Sequence, residues 1–405
     1  MLDNGKAEGA RKIKQIEKYC LRDIAIVSQG FTFSRSYQGK KNLKWNYFKV
    51  ADIGINPNSK YLTNAINTIS DITMEEIGAL PFPKGSIVFP RVGAALFNNN
   101  KKILAQDGVV DDNVLVLTVT DTSKCWYEFL YYYLQGIPLA KWCNSGLVPV
   151  INTKTVLSQM VFLPPLPEQQ KIAAILSTQD KVIELKDKLL VQKQQQKKYL
   201  MQQLLTGKKR LPGFCEKWTR KQLGELFENR VETNRSDLGL LAITSTRGIL
   251  PRDCLDLKDN SSEDKSKYLR ICPDDIGYNT MRMWQGVSAY SEYEGIVSPA
   301  YTILAPMEGV YSRYFAYLFK TQSMIFSFYR FSQGLVDDTR NLKYENFKKI
   351  SVSIPSKVAE QRAIVQILST ADHEIDLLQK SIEAEKQKKK ALMQLLLTGK
   401  VSVRI

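Results

Sequence analysis

Apolar positions recur at helical spacing in two separate runs, and the runs are copies of each other. Ile172, Leu176, Ile183 and Leu190 are four or seven residues apart, and the seam resumes at Leu200 and Leu204. Ile364, Leu368, Ile375 and Ile382 repeat it, resuming at Leu392 and Leu396. Between residues 168–208 and 360–400, displaced by 192 without a gap, 22 of 41 positions are identical. Such spacings belong to helices that pack side by side. Pro167 suits a first helical turn, where its missing N–H costs nothing, and Glu168 suits the positive helix end. Gly207 and Gly399 stand where a left-handed residue commonly caps a helix. Ser177 with Asp180, and Ser369 with Asp372, have the form of a capping box, which predicts a short helix ending there and a long one beginning. A helix from Asp180 to Thr206 would be about 40 Å long. Neither seam can stay bare. The economical expectation is that the two helices pair antiparallel, giving the chain pseudo-twofold symmetry; the simpler alternative is that each packs on its own block.

The stretches preceding each copy carry a different pattern. From about Cys20 to Met160 the chain offers short β-prone pieces at Ile24–Val27, Phe48–Val50, Ser86–Phe89 and Asn113–Thr118, punctuated by glycine and asparagine, Asn56-Pro57-Asn58 among them. An aromatic helix is expected from Trp126 to about Leu134, stopped by Gly136 and Pro138. From Trp218 to Val352 the order repeats loosely: strands at Ile296-Val297 and Tyr301–Leu304, then an aromatic helix at Tyr311–Tyr329. Gly146-Leu147-Val148 has a counterpart in Gly334-Leu335-Val336. The expected class is α+β, two globular blocks and a pair of long antiparallel coiled-coil helices. The expected divisions are 1–163, 164–210, 211–354 and 355–405. The connectors are shared; the blocks diverge.

Composition narrows the partner. The chain has 405 residues, 44% hydrophobic and 10% aromatic, which is folded material. A net charge of +16 points toward nucleic acid or another polyanion. Six cysteines without CxxC spacing and one histidine, His373, give no metal-site signature, and reduced thiols in a cytoplasmic protein are expected. The first residues form no apolar leader, and no run approaches a membrane span.

No catalytic constellation stands out. Thr206-Gly207-Lys208-Lys209 lacks the glycines and hydroxyl of a phosphate loop. No methyltransferase-type Asn/Asp-Pro-Pro-aromatic motif is present, and Pro273-Asp274 has no downstream Glu-x-Lys. His373 is replaced by Lys181 in the first copy. The chain is expected to bind and position, with no cofactor or metal of its own. Residues 180–210 hold nine Lys/Arg against three Asp/Glu, with Lys197, Lys198, Lys208, Lys209 and Arg210 near the end. Lys386, Lys388, Lys389 and Lys390 enrich the other helix. Such runs fit phosphate contact, a solvated face or a docking surface. Candidates for base contact are loop residues with several donors: Arg91, Lys101, Lys102 and Gln106 in the first block. The second offers Arg247, Arg282, Gln285, Arg330, Gln333 and Arg340. Arginine can bridge guanine O6 and N7, and glutamine can pair with adenine N6 and N7. Most of the helical tyrosines, Tyr131–Tyr133 and Tyr314 among them, are expected in the core.

The repeated entry and exit carry a family resemblance. Leu163-Pro164-Pro165-Leu166-Pro167-Glu168-Gln169 and Pro355-Ser356-Lys357-Val358-Ala359-Glu360-Gln361, each followed by Leu-Leu-Thr-Gly-Lys, resemble type I restriction-modification specificity subunits. Ala359 departs from the proline of the first copy. The similarity spans nearly the whole chain. It implies two target recognition domains, each gripping one half of a split asymmetric site on double-stranded DNA, with the helices fixing the spacer. It also implies two modification subunits docked on the helices, methylating adenine N6 with S-adenosylmethionine and flipping the target base. An optional restriction subunit would bring ATP and Mg2+. The main competing reading is a two-headed coiled-coil adaptor for proteins, without specific DNA binding; a nuclease with an unrecognised carboxylate site is the other.

Overall fold

The computed structural model describes residues 16–55, 59–144, 146, 148–244, 248–254 and 264–403. Arg247, Leu147 and the Asn56-Pro57-Asn58 turn lie outside the described residues. The chain forms two compact units, Met1–Leu189 with Gln379–Ile405, and Leu190–Leu378. Each contains one globular block together with part of both long helices.

In the first unit, β1 (Glu17–Cys20) pairs antiparallel with β2 (Met160–Leu163), bringing the entry of the block beside its exit. Val161 and Leu163 are buried while Met160 and Phe162 face outward, the alternation of a half-buried strand. A five-stranded sheet runs in the order Ala25–Gln29, Val114–Val119, Ile87–Pro90, Lys102–Leu104 and Tyr61–Leu62. Helix α1 (Tyr127–Gln135) follows, with Phe129, Leu130, Tyr131, Tyr132 and Leu134 buried. The second unit repeats this closure: β3 (Thr219–Gln222) pairs antiparallel with β4 (Ser351–Ile354). Its main sheet has four antiparallel strands, Phe227–Arg230, Tyr301–Pro306, Ile276–Asn279 and Ser288–Tyr290. The expected aromatic helix divides into α2 (Ser312–Leu318) and α3 (Gln322–Phe331), because Phe319–Thr321 turn the chain. Tyr314, Phe315 and Phe328 are core residues.

The two long helices are α4 (Leu166–Leu204) and α5 (Val358–Leu396), each of 39 residues. They are uninterrupted, so the expected break at Ser177–Asp180 and Ser369–Asp372 does not occur. The aspartates are used otherwise: Asp180 accepts the Tyr132 hydroxyl at 2.6 Å, and Asp372 accepts that of Tyr317 at 2.7 Å. Pro167 lies in the first turn of α4 as expected. Gly207 and Gly399 have φ of 70° and 72°, and the amides of Lys209 and Val401 reach back to Gln203 and Leu395 at 3.1 and 3.2 Å. Each bond encloses its left-handed glycine and spans one residue more than the six-to-one closure of a Schellman cap.

The seam is shared between helix pairing and the block cores. In the first unit Ile172, Leu176 and Leu396 are buried in one cluster with Phe129, Tyr132 and Trp142, and Leu392 packs against it. In the second unit Leu204, Ile364 and Leu368 join Phe227, Phe315 and Phe347, with Leu200 alongside. Each block therefore takes the start of one long helix and the end of the other. Ile183 and Ile382 are also buried, whereas Leu190 and Ile375 are half-buried. Polar pairs show the antiparallel direction within each unit. In the first, Gln179 and Lys186 both donate to Glu385, at 2.7 and 2.8 Å, and Lys186 reaches Ser381 at 2.7 Å. In the second, Lys193 pairs with Glu374 at 2.7 Å and Lys197 with Asp372.

Candidate nucleic-acid interface

The Glu-Gln pair at each helix entry has structural work. Gln169 donates to Pro164 and Lys124 carbonyls at 2.8 and 2.7 Å and accepts the Trp126 amide at 2.8 Å. Gln361 donates to the Pro355 carbonyl at 3.0 Å. Buried Glu360 holds Arg210, which also lies 5.8 Å over the Trp218 ring. Arg210, Lys197 and Lys389 are thus drawn into internal ion pairs. Only part of the basic helical run remains available for phosphates.

Two of the expected base-contacting residues are misplaced. Lys101 and Lys102 are 1% and 2% exposed, Lys102 opening a strand, Lys102–Leu104, that is buried throughout, and Lys101 just before it. Lys101 donates to Asn99 Oδ1 at 2.6 Å and the Ile137 carbonyl at 2.9 Å, and Lys102 reaches the Ser59 carbonyl. Burial pushes their ammonium groups down to about 7 and about 8. They are structural lysines. Gln106 is exposed on the turn that follows.

Arg91 lies where a first-unit interface can form. It follows the strand Ile87–Pro90, and its backbone carbonyl accepts the Ile151 amide at 2.9 Å. Its Nη1 donates to the Asp112 carbonyl at 3.4 Å. Beside it opens a cavity of about 460 Å³ lined by Gln29, Asn144, Asn152, Thr153 and Thr155. Side-chain amides, hydroxyls and one guanidinium converge there, as reading of base edges requires. Sequence reasoning passed over these neutral residues. Their one legible sign was Asn152 ahead of a short helix, where it accepts the Lys154 amide at 2.9 Å.

In the second unit the elements bearing the remaining candidates converge. Arg282 and Gln285 are exposed at the ends of the turn around Met283–Gln285, which packs on α3, and Arg330 is exposed near the end of α3. Trp284 and Tyr329 meet edge to face with centroids 6.2 Å apart. Arg340 lies 4.0 Å over the Tyr329 ring, donates to its hydroxyl at 2.8 Å and pairs with Asp337 at 2.9 Å. Gln333 is exposed, with its backbone paired to Asn341 in both directions at 2.8 Å. That pairing closes a turn that leaves Leu335 99% exposed. Arginines held on aromatic faces keep a planar donor array in a fixed orientation. Tyr329, which orients Arg340, was missed because it reads as core.

Such a molecule, with two unlike heads on like helices and donor-rich loops, belongs among the non-catalytic DNA-specificity proteins. A family model described as "Type I restriction modification DNA specificity domain" matches residues 13–195 and 275–386, and the chain belongs to that family. It is a DNA-binding specificity subunit of the type I restriction-modification class, without catalytic function of its own. The fold agrees with solved structures. The specificity subunit from M. genitalium superposes with a TM-score of 0.58 at 15% identity, over 96% of this chain and 97% of that one. The HsdS subunit from Thermoanaerobacter tengcongensis gives 0.50 at 15%, over 97% and 100%. A chain from a structure described in terms of complex assembly and conformational transition of the type I R-M system gives 0.57 at 14%, over 94% and 97%. Among the described residues no helix is long and apolar enough to cross a membrane, and no His/Cys/Asp/Glu group could hold a metal ion.

Proposed function

We propose that this chain reads a bipartite, asymmetric DNA site, one half with each unit, and presents it to two copies of a modification subunit for adenine N6 methylation. The observation that carries the reading is the union, in each unit, of a divergent donor-bearing block with the same paired helical segments. Arg91 and the polar cavity beside it would read one half-site. Arg282, Gln285, Arg330, Gln333 and Arg340 would read the other, with Arg247 and Gln106 as further candidates. Positive charge supplies the sequence-independent part of affinity. S-adenosylmethionine belongs to the modification subunits, and ATP and Mg2+ to an optional restriction subunit. Action in the cytoplasm is part of the proposal.

Two identical partners are supported by a surface motif that recurs across the 192-residue displacement. Leu185 and Leu377 are 54% and 51% exposed on α4 and α5. Each is flanked by an acid and a lysine at matching positions, Glu184 and Lys188 in one copy and Asp376 and Lys380 in the other, while Lys181 of the first copy is His373 in the second. An exposed leucine kept in both copies, with an acid one residue before it and a lysine three residues after it each time, suits two copies of one protein surface. The pseudo-twofold arrangement of the two units is part of this proposal.

The deciding experiment compares adenine methylation in cells with and without the chain. A split motif with a constant gap, present only with the chain, is expected. Loss of no motif, together with salt-insensitive association with DNA, would favour the protein-adaptor reading instead.

A further inference from the structure

The carboxylate of Asp180 is the meeting point of three elements of the first unit. It accepts the hydroxyl of Tyr132 on α1 at 2.6 Å and the ammonium of Lys389 on α5 at 2.5 Å, while itself standing on α4. The Lys389 ammonium lies 5.7 Å over the Tyr132 ring, so the three groups touch pairwise. In the second unit Asp372 on α5 accepts the hydroxyl of Tyr317 on α2 at 2.7 Å and the ammonium of Lys197 on α4. Lys197 lies 5.6 Å over the Tyr317 ring. Asp372 is Asp180 displaced by 192 residues, and Lys389 is Lys197 displaced by the same amount. The tyrosine comes from the divergent block in each case.

We infer that these two nodes are positioning latches, which fix the rotation of each recognition block on its helix pair and so the angle at which it meets DNA. Apolar packing beneath them, Ile172 and Leu176 in one unit and Ile364 and Leu368 in the other, holds block and helices together without specifying direction. A hydroxyl and an ammonium shared on one carboxylate are directional and charge-assisted. They join the block to both helices at once, so neither helix can slide or roll without breaking the node. In the first unit a further strand of the network reinforces it. Lys60 donates to Ser177 of α4 at 2.9 Å and to Glu128 of α1 at 3.1 Å, and lies 5.4 Å over the Tyr132 ring. The two blocks share little else in sequence, yet both supply a tyrosine to the same helical carboxylate. That is expected of a fixture serving geometry and not base choice.

The inference rests on the bipartite-reader proposal, and its test separates the two. The full chain is assembled with its modification subunits, and methylation is measured on duplexes whose spacer is native or one base pair longer or shorter. Tyr132→Phe, Tyr317→Phe, Asp180→Asn and Asp372→Asn are expected to cut discrimination between native and altered spacers by about tenfold, because small misplacements are costly in a pre-positioned complex. Half-site base preference should be unchanged, and Asp180→Glu should retain most of the discrimination. Amide hydrogen exchange on the isolated chain should rise in α1 for the first-unit variants and in α2 for the second-unit variants. Unaltered exchange would overturn the latch itself. Raised exchange with undiminished spacer discrimination would overturn its positioning role. A wild-type chain with no bipartite preference would sink the functional reading and the positioning role with it, while the exchange result would still report the latch.

Discussion

Arg210 grips Glu360 through two parallel hydrogen bonds, Nε to Oε1 at 2.7 Å and Nη2 to Oε2 at 2.8 Å. The pair ties the end of α4 to the start of α5 within the second unit, and Nη2 adds the Glu216 carbonyl at 2.9 Å. The carboxylate is buried and leaves little room for a substitute donor. Lysine at position 210 would offer a point charge in place of a planar fork. Arg210→Lys should therefore be nearly as harmful as Arg210→Ala, and Glu360→Gln should lower the melting temperature of the second unit. Limited proteolysis between residues 205 and 218 would register the loosening. A lysine variant indistinguishable from wild type would refute the geometric argument.

Leu176 and Leu368 occupy equivalent positions and are both fully buried, each within its own unit's core. Truncation of either to alanine should cost about 2–5 kcal/mol, the usual price of a leucine-sized cavity. The damage should be confined to one unit, so chemical unfolding followed by hydrogen exchange should show different segments failing in the two variants. Equal loss of protection throughout the chain in both would mean that the units do not unfold separately.

Lys101 gives a pH dependence whose sign is fixed by its burial. Its ammonium is pushed down to about 7 in the folded chain, whereas an unfolded lysine keeps its proton to about 10.4. Between those values the unfolded state binds more protons, so the stability of the first unit should rise with pH. The ceiling for a single group is about 1.4 kcal/mol per pH unit. Lys101→Met should flatten the rise between pH 7 and about 8.5, a window chosen below the lysine reference value. Urea unfolding of the two proteins at both ends of the window decides it. An unchanged slope would show that Lys101 is not the titrating group.

How much of this was legible depended on periodicity. The long helices, their glycine caps and the strands Ala25–Gln29, Ile87–Pro90, Val114–Val119, Gly295–Val297 and Tyr301–Pro306 followed from spacing and turn residues. The expected strand Phe48–Val50, by contrast, ends at Phe48 and Val50 opens a short helix, and most of the shorter strands left no sequence signal. Ser177 and Asp180 misled because a capping signature is local, whereas the partners that claim Asp180, Tyr132 and Lys389, are distant in sequence. The lysine pair 101–102 looked like a loop patch because nothing in the sequence reveals that strand Lys102–Leu104 is covered on both sides. Arg282 and Gln285 form one loop group in the sequence, and Arg330, Gln333 and Arg340 another around Gly334; only folding brings their elements together around Trp284 and Tyr329.

Substitutions at that patch should separate the two half-sites. Arg340→Ala and Arg282→Ala are expected to weaken recognition of one half-site by about 1–3 kcal/mol per lost bidentate base contact, leaving the other half unaffected. Arg91→Ala should do the converse. Should one of these arginines hold a phosphate instead, binding would fall evenly across sequences and the salt dependence would become shallower. Competition binding of the assembled complex on singly substituted duplexes, at two salt concentrations, distinguishes these outcomes. Relaxed preference in both half-sites from one substitution would contradict assignment of one half to each unit.

Helix α4 begins in the first unit and ends in the second, and α5 runs through them in the opposite order. Four residues inserted into both helices, between 189 and 190 and between 378 and 379, would lengthen each by about 6 Å and turn it by about 40° beyond one full rotation. The paired seams within each unit would be left intact, since neither insertion falls inside the segments that pack on a block. At about 3.4 Å per base pair, the added length corresponds to about two base pairs of spacer. Methylation mapping should then return both original half-sites separated by a wider gap. A changed half-site base, or an unaltered gap with full activity, would mean that something other than helix length sets the separation.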